Sequence, residues 1–88
     1  MAKQDDTREQ LKVAVDLALG GAWDDAHKIV QVLGDDSHAC WLHAVLHRID
    51  GDDTNAAYWY RRAGRSIVSG SDGTNELKVI SALLDKTD

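Results

Sequence analysis

The chain has 88 residues, of which 43% are hydrophobic and 28% charged, and a formal net charge of −5. One small domain of this length buries roughly 60% of the surface exposed by its unfolded chain, so its margin of stability is thin. The acidic balance argues against a global affinity for nucleic acid or an anionic membrane, both of which need a large positive field.

The N-terminal stretch MAKQDDTREQ is polar and lacks the apolar run of a signal peptide. Thr7 with Gln10 forms a capping box for a first helix running to about residue 19. A second helix is expected from about 22 to 33, where Trp23, Ala26, His27, Val30 and Leu33 recur at helical spacing. Asp36 or Ser37 caps a third helix reaching about residue 50, and Asp53 or Asp52 caps a fourth from about 54 to 63. The loop-like SGSDGT precedes a fifth helix, about 74 to 86, marked by Leu77, Ile80, Leu83 and Leu84. Proline is absent, and the seven glycines gather at these boundaries. Strand-like alternation appears nowhere at useful length, so the chain reads as all-α. Cys40 is the single cysteine, which excludes an intrachain disulfide and suits a reducing cytoplasm; no segment has the length to span a bilayer.

An offset of thirty residues places Leu11 on Trp41, Ala14 on Ala44, Val15 on Val45, Gly21 on Gly51, Ala26 on Ala56, Val30 on Tyr60 and Gly34 on Gly64. Small residues meet small ones and apolar meet apolar. Two copies of an antiparallel helix-turn-helix unit are therefore expected, about 7–34 and 36–64, stacked to bury faces that neither buries alone, with the fifth helix capping the stack. All 88 residues make a single domain in this reading.

The second copy resembles a tetratricopeptide unit: Ala44 in the first helix, the Gly51 turn, then Ala56, Tyr60 and Ala63 as small, aromatic and small. AAYWYRRAG is similar to the end of a Sel1-like repeat, and AWDDA in the first copy resembles the matching segment of the same families. A group of short proteins with a WLHA.LHR..GD..NA.YWYRRAGR-type segment looks alike too, without implying an activity. The likeness covers residues 11–64 and implies a helical-repeat scaffold that binds other proteins. Its spacing of thirty residues is shorter than the usual tetratricopeptide period of about 34, and no proline follows the second helix.

At about 100° per residue, the fourth helix divides into two faces. Ala56, Trp59, Tyr60 and Ala63 form the packing face, which joins Trp23, Ala26, Trp41 and Val45 in the expected core. Tyr58, Arg61, Arg62 and Arg65 form a basic face, extended by Arg48. Arginine's planar fork suits carboxylates, so this face is expected to bind an acidic segment of a protein partner. Solvated arginines paired to nearby carboxylates are the plainer account.

The third helix, SHACWLHAVLHRID, carries an apolar arc of Trp41, Leu42, Val45, Leu46 and Ile49, with Cys40, His43 and His47 on the opposite side. Histidines four residues apart can share a metal ion, so His43 and His47, aided by Cys40 or nearby arginines, are the alternative site for a metal or small anion. The plainer account is that these rings pack against neighbouring helices. His27, beside Trp23, reads as a satisfied, partly buried histidine. A Cys40–His43 nucleophile pair is the weakest reading, because nothing supplies an oxyanion hole. The expectation is a non-enzymatic cytoplasmic interaction module without cofactor or membrane association, its C-terminal helix either capping the stack or pairing two copies.

Overall fold

The computed structural model describes residues 3–67 and 72–86, which form five α-helices: α1 (Lys3–Leu19), α2 (Trp23–Leu33), α3 (Ser37–Ile49), α4 (Asp53–Ala63) and α5 (Gly73–Lys86). Part of the SGSDGT stretch, residues 69–71, lies outside the described residues.

Helix ends recur at the spacing seen in the sequence. α2 and α4 each have 11 residues and start at Trp23 and Asp53, while α1 and α3 end at Leu19 and Ile49. The turns match bond for bond. Gly21 and Gly51 take left-handed backbone, φ 90° and 83°. The next amides, of Ala22 and Asp52, donate to the carbonyls of Leu17 and His47 at 2.8 and 2.9 Å. This Schellman closure satisfies carbonyls orphaned at the helix end, and it favours glycine because a side chain is strained at positive φ. The Asp36 carboxylate accepts from the Ala39 amide at 3.0 Å, and Asp52 accepts from Asn55 at 3.3 Å. The first helix departs from the capping expectation: α1 already runs from Lys3, so Thr7 and Gln10 lie within it. Lys3, Gln4 and Arg8 favour helix, so a serviceable cap does not halt propagation across Thr7.

Three-residue turns join α1 to α2, α2 to α3 and α3 to α4, keeping consecutive helices adjacent. α3 sits at the centre and packs against all four other helices, most extensively α4. Every residue from Ala39 to Leu46 is consequently buried. The one-sided reading of α3 is thereby corrected: Cys40 and His43 lie opposite the apolar arc yet are 1% and 5% exposed, whereas Ile49, assigned to the arc, is 44% exposed. Ala26, Trp41, Val45, Ala56 and Tyr60 lie in the core as expected, while Trp23, Trp59 and Ala63 are partly buried against it.

α5 packs on both α1 and α3, burying Leu77, Ile80 and Leu84, and leaves Leu83 and Val79 exposed. Its first residue is pressed against Ile49, where a Cβ on Gly73 would collide with the isoleucine side chain. Three of the four apolar residues that mark this helix therefore serve the chain's own core. Among the described residues, no helix is long and apolar enough to cross a membrane.

Candidate functional site

α2 meets α3 where His27 faces His43 and His47. His27 Nε2 and His43 Nε2 are 3.0 Å apart; for this to be a hydrogen bond, one ring donates from Nε2 and the other accepts. The His43 and His47 rings stack at 5.0 Å, and a ligating atom from each of the three histidines lies within 4.8 Å of the others. Two tryptophans wall the group. Trp23 stacks on His27 at 4.6 Å and meets His47 edge-on at 5.8 Å, while Trp59 lies flat on His43 at 3.9 Å. The Trp23 indole N–H donates to the Leu46 carbonyl at 2.6 Å, which fixes this wall to α3.

These surroundings favour neutral imidazoles at His43 and His27. Burial, reinforced by His27 and His47, pushes the His43 pKa down to about 4. Burial and His47 also lower His27, against the opposing pull of Asp24 and Asp50. Nδ1 of His47 is buried and has no hydrogen-bond partner among the described residues. His27 was legible only as a core neighbour of Trp23; its place beside His43 and His47 depends on how two helices cross, which no local spacing encodes.

On the outer side of Trp59, Tyr58 stands edge-on to its ring at 5.0 Å and is 44% exposed. The Arg62 guanidinium carbon lies 5.7 Å from the Tyr58 ring centre and 5.4 Å from that of Trp59. Arg62 also donates to the Tyr58 hydroxyl at 3.3 Å and pairs with Asp35, whose side chain is 86% exposed. Arg61 is exposed beside it. A chain of ring contacts thus runs from the buried His43 through Trp59 to a solvent-facing tyrosine and guanidinium.

Arg48 and Arg65 belong elsewhere. Arg48 donates to Glu76 of α5 at 2.9 Å, and that carboxylate also accepts from the Trp41 indole at 2.8 Å and the Tyr60 hydroxyl at 2.5 Å. Arg65 stacks over Trp41, its guanidinium carbon 3.5 Å from the ring centre. Trp41, Glu76, Arg65 and Asn75 help line a depression of about 490 Å³. Arg48 thus meets Glu76 and Arg65 meets Trp41, whereas the arginine in contact with Tyr58 is Arg62. Sequence reasoning missed Glu76; the available signal was a carboxylate four residues before Ile80, on the buried stripe of α5.

Cys40 stands apart from the three histidines. Its buried thiol donates to the Gly34 carbonyl at 3.5 Å, at the turn between α2 and α3. No protein-family model, curated protein or solved structure matches the chain.

Proposed function

We propose that the chain is a non-enzymatic interaction module of tetratricopeptide or Sel1-like type, presenting Tyr58, Arg61 and Arg62 to an acidic segment of a protein partner in the cytoplasm. The thirty-residue recurrence of helix ends and turn hydrogen bonds supports the repeat reading. One observation carries the binding reading: Arg62 lies over two aromatic rings while pairing with an exposed carboxylate, that of Asp35. A partner's carboxylate replaces Asp35 at little cost, since an exposed ion pair contributes little net stability. The aromatic floor restricts the guanidinium before binding and reduces the entropy lost on contact. With Arg48 and Arg65 engaged by Glu76 and Trp41, the basic face contracts to Tyr58, Arg61 and Arg62. A net charge of −5 disfavours nucleic acid as the partner.

Charge reversal provides the test. Wild-type protein and an Arg61→Glu/Arg62→Glu double variant, both verified as folded by circular dichroism, are used to capture partners from extract with quantitative mass spectrometry. The reading requires that the variant lose the acidic partner. If every co-purifying protein stays bound, the reading fails.

A further inference from the structure

We infer that His27, His43 and His47 form a binding site for one divalent first-row transition-metal ion that staples α2 to α3. Geometry makes the case. Zinc–nitrogen bonds of about 2.0 Å in a tetrahedral site place ligand nitrogens about 3.3 Å apart. His27 Nε2 and His43 Nε2 are already 3.0 Å apart, and all three ligating atoms lie within 4.8 Å of one another. The remaining gap, from 4.8 Å at most to about 3.3 Å, is of a size that side-chain rotation can close.

The donor set selects the ion. Three imidazoles suit zinc, copper, nickel or cobalt, whereas magnesium and calcium prefer oxygen ligands. His43 and His47 come from one face of α3 at four-residue spacing, and His27 comes from α2, so the ion bridges two elements. Trp23 and Trp59 hold the rings of His27 and His43 in place, and the anchored indole of Trp23 limits how far His27 can swing away. Among the described residues, the buried Nδ1 of His47 has no hydrogen-bond partner. His27 and His47 are only half-buried, leaving the ion a route in from solvent and a water as fourth ligand. His38, the fourth histidine, lies outside the group and serves as an internal control. The site shares the Trp59 wall with the Tyr58 and Arg62 surface but uses different ligating side chains, so each proposal has its own test.

The experiment is isothermal titration of tag-free, chelator-treated protein with zinc chloride, paired with the visible spectrum of the cobalt-loaded form. One ion per chain is expected, with cobalt bands of low-coordinate intensity and a melting temperature that rises with zinc concentration as the native state is selectively bound. His27→Gln and His47→Gln should each weaken binding at least tenfold, and His38→Gln should leave it unchanged. These two half-buried positions keep the test valid if His43→Gln fails to fold. Absence of stoichiometric binding at micromolar zinc, retention of full affinity in His27→Gln/His47→Gln, or loss of binding in His38→Gln would overturn the site.

Discussion

The indole nitrogen of Trp41 donates to a carboxylate oxygen of Glu76 at 2.8 Å, joining the central helix to the C-terminal one within the protein interior. Arg48 and Tyr60 complete the carboxylate's partners from α3 and α4. Removing one member of a buried, hydrogen-bonded ion pair leaves the others unsatisfied, at a cost of about 3–5 kcal/mol. Glu76→Ala is therefore expected to lower unfolding free energy by about that amount in urea denaturation, and Glu76→Gln by less, because it keeps the shape and one acceptor. A loss below about 1 kcal/mol for Glu76→Ala would show that α5 docks without this network.

The same network predicts a loss of stability at high pH. Burial, with the Glu76 hydrogen bond and charge acting in the same sense, holds the Tyr60 phenol above its ordinary value. In the unfolded chain tyrosine ionises near about pH 10. As pH rises through that value the unfolded state releases its proton first, so the stabilisation is complete below about pH 10 and is lost progressively above it. Urea midpoints should fall more steeply between about pH 9.5 and 11.5 for wild type than for Tyr60→Phe. Parallel profiles would contradict the buried, neutral phenol.

Close packing of α5 on α3 yields a paired prediction. A Cβ on Gly73 meets the Ile49 side chain, so Gly73→Ala should destabilise the protein by about 1–3 kcal/mol through overpacking. Ile49→Ala removes the obstructing atoms from a residue already 44% exposed, and the double variant should recover much of the loss. Strict additivity in thermal melts would place the two residues out of contact.

Asp35 occupies Arg62 from within the same chain. Asp35→Asn removes that competitor and should strengthen binding of an acidic peptide about two- to fivefold, the scale expected of an exposed ion pair. Weaker binding in fluorescence anisotropy would assign Asp35 to the recognition surface instead.

Helix boundaries were the most legible feature, because each depends on a few neighbouring residues: left-handed glycines at 21 and 51, and the carboxylate of Asp36 at its own helix start. Thr7 shows the limit of such local signals, since good helix formers on its N-terminal side carry α1 past it. The faces of α4 were also readable, with Ala56 and Tyr60 buried and Tyr58, Arg61 and Arg62 outward. Tertiary relationships were not. Which helix covers α3 determines that Cys40 and His43 are buried, and the crossing of α2 over α3 brings His27 to His43. Arg48 looked like part of a basic surface because its partner, Glu76, lies 28 residues away on a helix whose docking no local spacing reveals.

The most direct test of the interaction module is a nitrogen-15 NMR titration with a blocked hexaglutamate peptide at low and high salt. The account predicts saturable shifts centred on Tyr58, Arg61 and Arg62, reduced by salt and lost in Arg61→Glu/Arg62→Glu, while signals from Arg48 and Glu76 stay in place. No saturable shift, or shifts centred on Arg65 and the depression beside Glu76, would contradict it.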